Sequence, residues 1–99
     1  MAIAEVSIVP LGTGNTSLSK YVARVVKVLH AEPDIKYELS AMGTIIEGNL
    51  GRILEIIQKM HEKVFDNEVN RVFTVIKIDD RRDKNATMID KVESVKTKL

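Results

Sequence analysis

The sequence predicts an α+β fold of βαββαβ order, a ferredoxin-like arrangement with a four-stranded antiparallel sheet, two helices on one face and an extra C-terminal helix. Three observations predict it. Apolar and polar residues alternate with period two around Val6 and around Tyr37, apolar residues recur at three- and four-residue steps in the stretches starting at Leu18 and Leu50, and turn-forming residues separate these stretches. With 99 residues and no internal repeat, low-complexity segment or linker, residues 1–99 read as a single domain.

The first strand spans Ile3 to Val9, with Ala4, Val6 and Ile8 on one face and Ile3, Glu5, Ser7 and Val9 on the other. Pro10 is expected to end its hydrogen bonding, and Leu11 to Ser17 form a loop rich in glycine and hydroxyls. Leu18, Val22, Val25, Val26 and Leu29 then mark an amphipathic helix that Thr16 or Ser17 can cap. Its β-branched valines are poor helix formers, so packing must hold it. Glu32-Pro33-Asp34 terminates it.

In the second strand Ile35, Tyr37, Leu39 and Ala41 oppose Lys36, Glu38, Ser40 and Met42. Gly43 interrupts this run where the backbone must turn or approach another segment closely. Thr44 to Gly48 form the third strand, in which the adjacent Ile45 and Ile46 leave the facing of Thr44 and Glu47 open. Asn49 is a good helix cap for the stripe Leu50, Ile53, Leu54, Ile57, His61 and Val64. After Asp66-Asn67-Glu68, the segment Arg71 to Ile78 is a strand apolar on both faces. A charged loop, Asp79 to Lys84, leads to a narrow stripe of Met88, Val92, Val95 and Leu99 that Asn85 can cap.

Composition narrows the function. Fifteen basic and fourteen acidic residues leave a net charge of +1, too balanced for the long-range field that draws a protein to nucleic acid or an anionic membrane. Aromatics make up 4% of the chain, short of the stacking platform of an RNA-binding sheet. The absence of cysteine removes disulfides, thiolate metal sites and a cysteine nucleophile. The N-terminal apolar run meets Glu5 at once, which argues against a signal peptide or a membrane span and for a cytoplasmic protein.

No phosphate loop, dinucleotide fingerprint or nucleophile-base pattern is present, so no cofactor and no catalysis are expected. His30 and His61 lack a second ligand at metal spacing, and Arg81 and Arg82 compete as salt-bridge partners for Asp79, Asp80 and Asp83. Lys20, Arg24 and Lys27 read as a solvated face of the first helix.

Two polar clusters remain as candidate sites. One is the Gly12–Ser17 loop at a helix N-terminus, where partial positive charge favours an anion or a polar ligand edge. The other surrounds Gly43, which lets a ligand approach the backbone. There Ser40, Met42, Thr44 and Glu47 offer hydroxyls, a polarisable thioether and a carboxylate to one small ring. On the sheet face away from the helices, Val9, Met42, Phe73 and Val75 are too apolar to stay bare, so neighbouring copies of the chain are expected to cover them.

The segments Val9-Pro10-Leu11-Gly12-Thr13, Thr16-Ser17-Leu18-Ser19, Tyr37 to Thr44 with Glu47, Lys77 to Asp83 and Asp90 to Val95 together resemble the small thiamine-binding, YkoF-like family over nearly the whole chain. The resemblance implies a ferredoxin-like domain that binds thiamine or its hydroxymethylpyrimidine moiety without catalysis and assembles as a homodimer and then a homotetramer. It places ligand contacts at Thr13 and Ser17 in the first loop, at Ser40, Met42, Gly43, Thr44 and Glu47 around the hinge, and at Asp79 beyond the last strand, with Ser7 nearby. The competing reading is a regulatory module that senses another small metabolite through its assembly.

Overall fold

The computed structural model describes all 99 residues. Alternation and helical periodicity appear as β1 (Ala2–Leu11), α1 (Ser19–His30), β2 (Lys36–Ser40), β3 (Gly43–Gly48), α2 (Leu50–Val64), β4 (Arg71–Asp80) and α3 (Met88–Lys96). The sheet is antiparallel in the order β2-β3-β1-β4, so β1 lies between β3 and β4 and β2 and β4 form the edges. This is the ferredoxin-like arrangement with an extra helix.

The registers assign the two faces. Val6 stands opposite Thr44 and Ile76, and Ala4 opposite Ile46 and Ile78. Ala2, Ala4, Val6 and Ile46 are buried towards the helices, together with Tyr21, Val25 and Leu29 of α1 and Ile53, Ile56, Ile57, Met60 and Val64 of α2. The opposite face carries Glu5, Ser7, Val9, Ile45, Glu47, Phe73, Val75 and Lys77, and Lys77 pairs with Glu5 across the strands at 3.5 Å. Phe73 is 58% exposed and Val75 42%, as expected of a face without its own helix layer.

Several local expectations are corrected. Pro10 does not end β1: the strand runs to Leu11, paired with β4 throughout, with Pro10 opposite Val72. β3 stops pairing at Val6, so from Ser7 onward β1 has a free flank, where a residue lacking an N–H is tolerated. Neither Thr16 nor Ser17 caps α1; Leu18 holds the N-cap position without a side-chain bond. The hydroxyl of Thr13 instead donates to the Asn15 carbonyl and accepts from the Asn15 N–H, while Asn15 Oδ1 accepts from the Ser17 N–H. Positive φ angles at Gly12 (79°) and Gly14 (71°) make that local turn possible.

Asn49 caps α2 as expected, its side chain accepting from the N–H groups of Gly51 and Arg52. The buried arc of α2 is rotated from the expected stripe: Ile56 and Met60 are buried, and Leu54 is 43% exposed on the opposite flank. Contact with α1 on one side of α2 and open solvent on the other explains the rotation. Thr87, rather than Asn85, caps α3 in a reciprocal capping box with Asp90.

Arg52 of α2 ties the helix layer to the α1–β2 turn through Glu32 and Asp34, and Lys59 also reaches Glu32. Bonds from Lys59 and then Arg52 hold the Glu32 carboxyl below the usual carboxylate range. A bond from Arg52 does the same for Asp34, and the N–H of Glu68, then Arg24, for Asp66. Since these folded-state values lie below the unfolded ones near 4, the stabilisation is full above the unfolded values. It is lost as pH falls through the folded ones. Thermal melts should therefore show a falling midpoint below about pH 4, and Arg52→Ala should flatten that acid limb.

Candidate ligand-binding site

The site begins with a mismatch of strand lengths. β1 has ten residues and β3 six, and their ladder ends where Val6 meets Thr44. Beyond it, Ser7, Ile8 and Val9 run beside an empty lane, and no backbone hydrogen bond outside the helices and ladders involves residues 7 to 11. The β2–β3 hairpin closes one end of this lane and the start of α1 roofs it.

The result is a cavity of about 260 Å³ lined by Val6 to Val9, the hairpin residues Leu39 to Thr44, the N-cap Leu18, Val22 and Val25 of α1, and Met60 of α2. Ten of its fourteen lining residues are hydrophobic, which suits a flat apolar body with a few polar edges.

Gly43 makes the corner of this cavity possible. A Cβ there would lie 2.9 Å from the backbone oxygen of Val6 and 3.4 Å from Glu5 Cγ, so only glycine lets β3 leave β1 this closely. The Ser40 hydroxyl donates to the Gly43 carbonyl at 2.8 Å and closes the hairpin. Ala41 and Met42 form the two-residue turn, with negative φ at both positions, and Met42 at its tip is 83% exposed.

Thr44 points from β3 into the helix-side layer, 5% exposed, and its hydroxyl makes no hydrogen bond within the chain. The residue is buried as a whole, but no buried side-chain oxygen or nitrogen in the protein lacks a partner, so the Thr44 hydroxyl is reached by solvent and can exchange water for a ligand.

The eight residues expected to contact a ligand fall into three places. Ser40, Met42, Gly43 and Thr44 line the cavity, and so does Ser7. Thr13 and Ser17 lie in a separate, more polar depression of similar volume with Lys20 and Glu68. Glu47 and Asp79 lie at the far end of the sheet, on the face away from the helices, each opposite Ile3. There the Met88 N–H donates to Glu47 Oε2 at 3.2 Å, and Lys91 reaches Asp79 at 2.6 Å.

The expectation that Gly43 lets Ser40, Met42, Thr44 and Glu47 meet one ring is therefore corrected. Thr44 and Glu47 are three residues apart on a strand and must point to opposite faces. Glu47 is 4% exposed because the start of α3 lies against it.

Leu18, Val22 and Met60 are not among the expected contacts: the first two belong to the expected apolar stripe of the first helix, and Met60 lies outside the expected stripe of the second. The available signal was the difference in strand length, hidden by treating Pro10 as the end of β1.

Other candidates are spoken for. Arg81 bonds Asp83 and Arg82 bonds Asp80, which matches their reading as internal partners. His61 Nδ1 lies 2.7 Å from the Thr74 hydroxyl, and the His61 ring meets Phe65 edge-on. A larger open groove of about 870 Å³ runs between the outer faces of α1 and α2. Charged side chains line most of it, and Glu32, Glu55 and Lys59 among them pair with one another, so it reads as solvated surface.

Comparison with known proteins follows the same outline. The family described as "Thiamine-binding protein" matches residues 4–96. The UPF0045 protein YqgV of Bacillus subtilis is 50% identical over 100% of this chain and 98% of its own length. A UPF0045 protein of Methanothermobacter thermautotrophicus is 46% identical over the full length of both chains. Among solved structures, a hypothetical protein of Methanocaldococcus jannaschii superimposes with a TM-score of 0.87 at 42% identity, covering 96% of this chain and 95% of that one.

Proposed function

This chain belongs to the thiamine-binding protein family, and from that premise we propose that it holds thiamine, through its hydroxymethylpyrimidine moiety, in the cavity beside Gly43 without transforming it. The observation that carries the reading is the solvent-reached Thr44 hydroxyl, unbonded within the chain, on the wall of a mainly apolar cavity flanked by a free strand edge. An aminopyrimidine presents a ring nitrogen beside an exocyclic amine, an acceptor next to a donor. That edge matches the carbonyl and N–H groups of β1 beyond Val6. Val6, Ile8 and Val22 can then pack on the ring faces, and Met42 at the hairpin tip can fold over the ring.

Size supports the same assignment. Pockets that enclose drug-sized ligands measure roughly 300–1,000 Å³. At about 260 Å³, this cavity suits one substituted ring, leaving the thiazolium part of thiamine outside. Ser40 and Gly43 form the rim, while Thr13, Ser17, Glu47 and Asp79 contribute to binding only after rearrangement of their present bonds.

Self-association into a homodimer and then a homotetramer in the cytoplasm is part of the proposal. It would bury Phe73 and Val75 on the open sheet face and the exposed stripe Ile89, Val92, Val95 and Leu99 of the C-terminal segment. No helix is long and apolar enough to cross a membrane. The same exposed surfaces favour, as a second reading, a regulatory module whose assembly responds to another small metabolite.

Calorimetric titration with thiamine and with hydroxymethylpyrimidine tests the proposal. Both should release heat on binding, and Thr44→Val, which keeps the side-chain shape, should weaken both by roughly three- to tenfold, the worth of one hydrogen bond. Glu47→Ala should spare the affinity. No heat for either compound up to millimolar concentration defeats the proposal.

A further inference from the structure

The lane beside β1 is not a uniform strand edge. A Cβ on Gly43 would lie 2.9 Å from the Val6 carbonyl oxygen, so that carbonyl points to the β3 side, where Val6 stands opposite Thr44 at the last step of the ladder. Along a strand the N–H and C=O of one residue point to the same flank, and those of the next residue to the other. Ile8 and Pro10 therefore turn their backbone groups towards the β3 flank. Ser7, Val9 and Leu11 turn theirs towards β4, which accompanies β1 to its end.

At Ile8 the β3 flank is empty. β3 begins at Gly43, and no backbone hydrogen bond outside the helices and ladders involves Ile8 or Pro10. Proline has no N–H. In chain order the lane thus presents one donor, the Ile8 N–H, one acceptor beside it, the Ile8 carbonyl, and then only a further acceptor at Pro10. An added strand would also require a donor at Pro10, whereas a ring needs one donor and one acceptor side by side.

We infer that Ile8 is the specificity-determining residue of the cavity, reading the ligand through its backbone and fixing the direction in which the ring lies. This rests on the functional reading above and goes on to the orientation and polarity of the ligand. A 4-aminopyrimidine meets Ile8 in one way: ring nitrogen N3 accepts from the Ile8 N–H, and the 4-amine donates to the Ile8 carbonyl. The C2 side of the ring then faces Val6 and Thr44 at the closed end of the lane, and the C5 side faces Pro10 at the open end. The thiazolium part of thiamine hangs from C5, so it leaves through the mouth.

A 4-oxo ring in its N3–H form has the opposite polarity, since its nitrogen donates and its oxygen accepts. It matches Ile8 only when turned end for end, which drives the C5 substituent against Gly43 and Thr44. The 4-oxo analogue of thiamine is refused by polarity in one direction and by bulk in the other.

Amide hydrogen exchange by NMR, with calorimetry on the same unaltered protein, tests this. In the free protein the Ile8 amide should exchange faster than those of Ser7 and Val9, and saturating thiamine should slow it at least about tenfold, as a new hydrogen bond does. The 2-methyl group of bound thiamine should show NOEs to the Val6 and Thr44 methyls. The 4-oxo analogue should bind roughly a hundredfold more weakly than thiamine, the effect of leaving two polar groups mismatched. Thiamine binding that leaves Ile8 exchange unchanged, or a 4-oxo analogue that binds as tightly as thiamine, overturns the role of Ile8 while the cavity still holds the ligand. No heat from thiamine removes the binding reading, and this one with it.

Discussion

Gly43→Val is expected to lower the unfolding free energy by about 2–3 kcal/mol, the cost of overpacking a tight site, and to abolish ligand binding in the same variant. The first atom of any side chain at this position would sit 2.9 Å from the Val6 carbonyl oxygen, a backbone atom held between two ladders. Relief requires β3 to move away from β1, which widens the lane beside Ser7 and displaces Thr44 from the cavity wall. Gly43→Ala should show the same direction with a smaller loss, since it lacks the branch. Urea unfolding monitored by circular dichroism gives the stability term, and titration with hydroxymethylpyrimidine gives the binding term. A fully stable Gly43→Val protein that still binds would remove the close approach as the origin of the cavity.

Met60→Ala should cost about 3 kcal/mol, within the 2–5 kcal/mol range for emptying a buried large side chain. Met60 is fully buried on α2 and also lines the cavity, so it joins the hydrophobic core to the candidate site. For a chain whose total stability is of order 5–15 kcal/mol, that is a large fraction, and the urea midpoint should fall accordingly. The variant should also accept ring substituents that the native cavity excludes. Met60→Leu, nearly equal in volume, should lose less than about 1.5 kcal/mol and leave ligand selectivity unchanged. Selectivity that stays fixed in Met60→Ala would mean that Met60 is core alone.

Much of this architecture is legible from spacing. Ala4 and Val6 against Glu5 and Ser7 define the faces of β1, and Asn49 before an apolar stripe marks the start of α2. The candidate site was legible in part: Gly43 with Ser40, Met42 and Thr44 stands out because mixed polarity and a glycine interrupt two extended runs. The inclusion of Glu47 fails for a specific reason. Ile45 and Ile46 are both shielded, one face of β3 lying under the helix layer and the end of the other meeting the start of α3, so alternation disappears where it was needed to assign facing. Thr16 and Ser17 mislead in a similar way. Their composition suits a cap, while Asn15 satisfies the Ser17 N–H locally and Leu18 begins the helix.

What the sequence by itself determined is the order of the elements, the buried face of β1, the cap of α2 and the importance of Gly43. These depend on neighbours within a few residues, where side-chain period and backbone restriction act directly. Only the tertiary structure decided that β1 outruns β3, that Thr44 and Glu47 part company, and that Leu18, Val22 and Met60 wall the cavity. Each of these depends on which distant segment lies alongside: β1 beside β3, α3 against Glu47, α1 over the empty lane. Register and cover are properties of pairs of segments, and one strand's own pattern carries them only while one of its faces remains open to water.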